Sequence, residues 1–113
     1  MRIFVSYTTK DAVIDENLLN WISNLLTSCG RPFVDLLHND SPDRQFRVER
    51  ELYSADILLL LESSSVKDSR WVLWELQQAQ NLDIPIIRIR VDNYINYEQI
   101  RNNIKYGLAL AAN

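Results

Sequence analysis

The stretch Asp56-Ile-Leu-Leu-Leu-Leu61 constrains the fold more than any other part of the chain. Five consecutive apolar residues without polar alternation do not suit a half-solvated sheet, so this strand is expected to be central and covered on both faces. A second apolar run, Pro85-Ile-Ile-Arg-Ile-Arg-Val91, reads as another buried parallel strand. Between the two lies Ser69 to Asn81, in which Ser69 can cap a helix whose next twelve residues lack Gly and Pro. Strand, helix, strand at this spacing is a parallel crossover. The start of such a helix sits near the carboxyl ends of the strands, where open α/β sheets bind ligands.

The rest of the chain repeats the unit. Arg2 to Ser6 reads as a short buried strand, and Ser6 to Asp11 as a polar loop leaving its carboxyl end. Asp15 or Asn17 opens a helix with Leu18, Leu19, Trp21, Ile22, Leu25 and Leu26 on a core-facing stripe. Gly30 and Pro32 stop it, Pro32 to Leu37 reads as the second strand, and His38 to Asp43 as a turn-rich loop. From Ser41 or Asp43 to Ala55 a third element carries Phe46, Val48, Leu52 and Tyr53 among charges that form a solvated face. After Asp92-Asn93-Tyr94, Tyr97 to Ala111 can form a last helix on Ile100, Ile104, Leu108 and Ala111. Alternating strands and helices with short connections predict an α/β fold, a parallel sheet with helices on both faces.

Several function classes drop out. With 113 residues, 47% of them apolar, the chain is expected to be a single domain, 1–113. The net charge is -3 and the Lys and Arg residues are scattered, so no nucleic-acid footprint is visible. The single Cys29 excludes an internal disulfide, fits a reducing compartment and reads as a packing residue. No run approaches the ~18 apolar residues of a membrane span, and no signal-peptide core follows Met1-Arg2, so a cytoplasmic protein without membrane contact is expected. Gly30 and Gly107 are the only glycines, too few for a phosphate-cradling loop or a dinucleotide fingerprint. A phosphoacceptor Asp is missing at the end of the third strand, where Leu61-Glu62-Ser63 stands. The only histidine, His38, is expected to face solvent in its loop, and no nucleophile elbow exists for a triad. Asp35, Asp40 and Asp43 offer carboxylates to a divalent metal, but turn carboxylates act far more often as caps, and no metal site is expected.

The loops after strands one to three, Ser6 to Asp11, Asp35 to Pro42 and Glu62 to Trp71, are expected to line one crevice. Trp71 and Glu75 are four residues apart, on one helix face, so Glu75 would look into it. A helical Glu is most often a salt-bridged surface residue. Here Trp71 and Trp74 flank it, and apolar neighbours raise a carboxyl pKa and supply a flat surface for an aromatic ligand. One Trp is expected to be packed and the other to border the crevice. Ser63, Ser64 and Ser65 read either as plain loop chemistry or as donors to a sugar or phosphate.

Phe4-Val-Ser-Tyr-Thr-Thr-Lys-Asp11 resembles the first signature box of Toll/interleukin-1 receptor (TIR) domains, a strand ending in Ser-Tyr with an Asp shortly after. Ala55-Asp56 with its aliphatic strand, Ser63 to Ser69, Trp71-Val-Leu-Trp-Glu-Leu76, Ala79 and Ile84-Pro-Ile-Ile87 are similar to the remaining boxes. The match spans essentially the whole chain and is nearest to small bacterial TIR-like domains.

The resemblance implies a flavodoxin-like three-layer sandwich with a parallel sheet of four to five strands in the order 2-1-3-4. It implies cleavage of NAD as substrate, with no resident cofactor, at the bond between nicotinamide and ribose. ADP-ribose or a cyclic isomer would be the product, and a signalling role in bacterial antiphage defence is part of what the resemblance implies. Glu75 would be catalytic, and Ser6, Tyr7, Thr8, Ser63, Ser64 and Trp71 would contact the nucleotide. The family also implies homo-oligomers through TIR–TIR contacts. The loop Leu37 to Arg44 lacks the Arg-Asp and Pro-Gly pairs of receptor TIR domains. Two other readings stay open: a non-catalytic interaction module in signalling, and a nucleoside deoxyribosyltransferase-like enzyme.

Overall fold

The computed structural model describes residues 1–111. Among them, four parallel strands stand in the order β2-β1-β3-β4: β1 Arg2–Ser6, β2 Arg31–Phe33, β3 Ile57–Glu62 and β4 Ile86–Arg90. The helices are α1 Glu16–Thr27, α2 Asp35–His38, α3 Arg44–Tyr53, α4 Arg70–Asn81 and α5 Tyr97–Ala111. The chain order reverses between β1 and β3, whose register sets Phe4 beside Leu58 and Ser6 beside Leu60.

Strand alternation sorts the core into two halves. Ile3, Val5, Ile57, Leu59, Leu61 and Ile89 pack with Leu18, Leu19, Ile22 and Leu26 of α1 and Ile100, Ile104 and Leu108 of α5. Phe4, Phe33, Leu58 and Leu60 face Val48 and Leu52 of α3 and Val72, Leu76 and Ala79 of α4. The product is a three-layer α/β sandwich. No residue from Ile57 to Leu61 is more than 2% exposed, as a central strand covered on both faces requires. No described helix is long and apolar enough to cross a membrane.

Caps set the helix starts. Asp15 accepts from Leu18 N–H at α1, Asp43 from Phe46 N–H at α3, and Ser69 from Val72 N–H at α4. Gly30 is needed where α1 turns into β2, because a Cβ there would run into the Met1 carbonyl, which accepts from Arg31 N–H at 2.8 Å.

The structure departs from the sequence expectations in five places. The second strand ends at Phe33 instead of Leu37, because Val34 begins a helical turn: its carbonyl accepts from Leu37 and His38 N–H, and its own N–H donates to His38 Nδ1 at 2.8 Å. That bond also draws His38 in from solvent, to half-burial against Phe33. β4 is an edge strand with Arg88 and Arg90 turned outward, paired to Glu62 and Asp92 at 3.1 and 3.0 Å. Phe46 and Tyr53 are more than half exposed; Val48 and Leu52 define the buried stripe, and Phe46 lies about 200° around the helix from Val48. Cys29 is exposed beyond the last core-facing turn of α1.

Candidate active site

Ser6 is the last residue of β1 and, by alternation, shares the face of Phe4 that looks toward α4. On α4 the inward residues are Val72, Glu75, Leu76 and Ala79, so a carboxyl occupies a position otherwise given to aliphatic side chains. The two meet: Ser6 Oγ donates to Glu75 Oε1 at 2.8 Å in a buried setting. Glu75 is only 4% exposed.

Above this pair opens a cleft of about 280 Å³ at the carboxyl ends of the strands, walled by Tyr7, Thr8, Asp35, Ser69, Trp71 and Glu75. Trp71 is 40% exposed and stacks on Trp74, ring centroids 5.4 Å apart and planes at 23°. Trp74 is the more covered of the two and packs against the α3–α4 half of the core. Tyr7 Oη accepts from Leu36 N–H at 2.9 Å, which ties the loop after β1 to α2. Asp35 Oδ2 is paired with Arg44 at 3.3 Å, and its Oδ1 accepts from Asn39 at 2.7 Å.

The electrostatics follow from burial. Desolvation pushes the Glu75 carboxyl up to about 8; the Ser6 hydroxyl opposes this, the negative charge of Asp35 adds to it, and the Trp71 indole opposes it further. Burial also raises the Tyr7 phenol, against the lowering by the Leu36 N–H. At neutral pH the cleft therefore holds a mostly protonated Glu75 carboxyl, with the Asp35–Arg44 pair at its wall.

The loops are fastened from below. Asp11 accepts from Ser65 Oγ at 2.7 Å, Ser65 N–H at 2.9 Å and Ser64 Oγ at 3.1 Å, and Lys10 Nζ donates to Asp68 O at 2.7 Å. The Ser63 hydroxyl is buried outside good hydrogen-bond geometry with any partner. It still leads the influences that hold the Asp11 carboxyl at about 2, ahead of the Ser65 hydroxyl and N–H.

Of the residues singled out in the sequence, Ser6, Tyr7, Thr8, Trp71 and Glu75 come together around this cleft. Ser63 and Ser64 do not. They border a separate cavity of about 530 Å³ with Arg90, Asp92, Asn93 and Tyr94, past the ends of β3 and β4. Asp35, the first residue of the loop expected to line the crevice, does wall the cleft, although sequence reasoning assigned it no ligand contact. Among the described residues no group of three or more His, Cys, Asp or Glu side chains could hold a metal ion. Asp43 instead caps α3 and Asp35 pairs with Arg44.

A doubly wound parallel α/β domain, with a buried carboxyl and an indole at the point where the strand order reverses, belongs among the flavodoxin-like three-layer sandwiches by architecture. A family model described as TIR domain matches residues 3–108, and the chain belongs to that family. No curated protein matches the chain.

Proposed function

We propose that this TIR domain cleaves NAD between nicotinamide and ribose, with Glu75 as the catalytic residue. The observation that carries the reading is the burial of Glu75, 4% exposed, beside Trp71 in the cleft at the strand ends. The nicotinamide ring of NAD is a flat cation, which suits an indole face and a site with two acidic side chains. Its arrival beside Glu75 favours the ionised carboxylate and expels a proton to solvent.

The glycosidic C–N bond then breaks with its electron pair moving onto nicotinamide, which leaves as a neutral ring and needs no general acid. This explains how one carboxylate suffices where glycosidases use two. Glu75 stabilises the oxocarbenium-like ribose and can accept from its hydroxyls, and Ser6 holds the carboxylate in place. Attack by water gives ADP-ribose after loss of a proton; attack by an adenine nitrogen gives a cyclic isomer. A cleft of about 280 Å³ is near the lower end for small-molecule sites, so it suits the nicotinamide riboside end, with the remainder of NAD over the rim.

Chromatographic quantitation of nicotinamide after incubation with NAD tests the reading. Release by the wild type and none by Glu75→Gln is expected; no release by the wild type, dilute or concentrated and assembled, overturns it.

A second reading is favoured by one observation: Phe46, Tyr53 and Leu73 expose 57%, 56% and 47% of their surfaces on the α3–α4 layer. That layer suits a non-catalytic module that self-associates. Its signature is concentration-dependent assembly that survives Glu75→Gln, without nucleotide turnover.

A further inference from the structure

At the opposite end of the sheet from Glu75, the register of β1 with β2 sets Arg2 directly beside Arg31. Residues paired in this way on neighbouring parallel strands point to the same face, their backbones about 4.8 Å apart. Two arginine side chains thus leave neighbouring strands on the same face, and among the described residues neither forms an ion pair. The nearby Asp56 carboxylate accepts from the Arg2 backbone N–H, not from its side chain.

Both arginines line a cavity of about 200 Å³ with Phe33, His38, Arg47 and Glu51. The lining carries three arginines and one carboxylate, Glu51, which pairs with Arg47 Nε at 2.9 Å; Asp40 reaches Arg47 as well, at 3.7 Å. Arg47 is also fixed over the Phe33 ring, 5.4 Å from its centroid. His38 contributes a neutral donor. Its Nδ1 accepts from Val34 N–H, so the proton sits on Nε2, and burial lowers its pKa and keeps it uncharged at neutral pH.

We propose that this cavity is a binding site for a phosphate group, either the free dianion or a small phosphomonoester. The chemistry points to phosphate because two adjacent forks match the oxygens of one tetrahedral oxyanion, and a bound dianion relieves the repulsion that the strand register imposes. The volume suits a phosphate and a few further atoms, not a whole nucleotide. The site shares no residue with the Glu75 cleft, so it stands or falls independently of the NAD-cleaving activity.

The test is titration of the intact protein with inorganic phosphate and, separately, glycerol 3-phosphate at constant ionic strength, followed by calorimetry. Saturable one-to-one binding is expected. Arg2→Gln and Arg31→Gln should each weaken it about tenfold or more, the loss of a charge-assisted pair. Lys105→Gln, on the exposed face of α5, should leave it unchanged. Both arginines are surface residues, and superimposable circular dichroism spectra will show that the variants fold. Whichever ligand binds more tightly identifies the source of the phosphate. Absence of saturable binding by either, or equal weakening by Lys105→Gln, overturns the proposal.

Discussion

The Ser6 hydroxyl donates to Glu75 Oε1 across 2.8 Å, joining residues 69 positions apart at the closed floor of the cleft. This bond tethers a carboxyl that the core otherwise desolvates, and it decides how Ser6 variants behave. Ser6→Ala should cost about 1 kcal/mol of stability in urea unfolding. It should also raise the Glu75 pKa further, so the rate of the proposed NAD cleavage at pH 7 should fall by roughly tenfold, with partial recovery at pH 9.

Glu75→Gln keeps an acceptor for Ser6 and removes the ionisable group. Activity should vanish while the domain becomes more stable at alkaline pH. The distance from 4.5 to about 8 caps that gain at ~5 kcal/mol, and packing losses will reduce it. Thermal melts at pH 9 of wild type and variant check both sign and size.

Stability and activity should run in opposite directions with pH. The folded Glu75 pKa lies above its unfolded value, so the folded state binds more protons between pH 4.5 and 8. The associated stability is full below pH 4.5 and lost as pH rises through 8. In the proposed reaction the rate at low NAD depends on the ionised carboxylate of the free protein, so it should rise about tenfold per pH unit up to 8 and then level. Asp11 makes stability vary with pH only in acid: its folded pKa of about 2 lies below the ordinary 3.8, so its contribution is full above 3.8 and fades as pH falls through 2. Urea titrations at pH 5, 7 and 8.5, paired with initial rates, test this.

Asp11→Asn should loosen the loop after β3 without touching the cleft itself. The carboxylate takes three hydrogen bonds from Ser64 and Ser65, and the amide can accept at only one oxygen. Faster amide exchange from Ser63 to Asp68, with exchange at β1 unchanged, is the expected pattern.

Gly107→Ala sets helix propensity against a contact. Alanine favours the helix by about 1 kcal/mol, but its Cβ would lie 2.6 Å from Ile87 Cγ2, and overpacking of that kind costs ~1–3 kcal/mol. The single variant should be less stable than wild type. In an Ile87→Ala background the same change should stabilise, which chemical denaturation of the four proteins will show.

Much of the frame was legible because its signals are local or periodic. Ser69 caps α4, Tyr97–Ala111 is the last helix, and the unbroken Ile57–Leu61 run is central. What escaped depended on contacts distant in sequence or on a single turn. The α2 turn hangs on a bond from Val34 to His38, too short for any periodic signal. Ser64 and Ser65 turn toward Asp11, more than fifty residues earlier, and this keeps the first part of their loop out of the cleft that Ser69 and Trp71 reach. The edge position of β4 was readable in hindsight, since Arg88 and Arg90 alternate with Ile87 and Ile89 as a half-exposed strand should.

The interior position of Glu75 has a consequence for anyone who evolves or redesigns this domain. A library screened for heat resistance will enrich replacements at residue 75 before it improves any other position, because an uncharged side chain there relieves the fold of its most poorly solvated acid. Survivors of such a screen will be robust and, under the proposed role of Glu75, inert. Turnover has to be part of the selection from the first round.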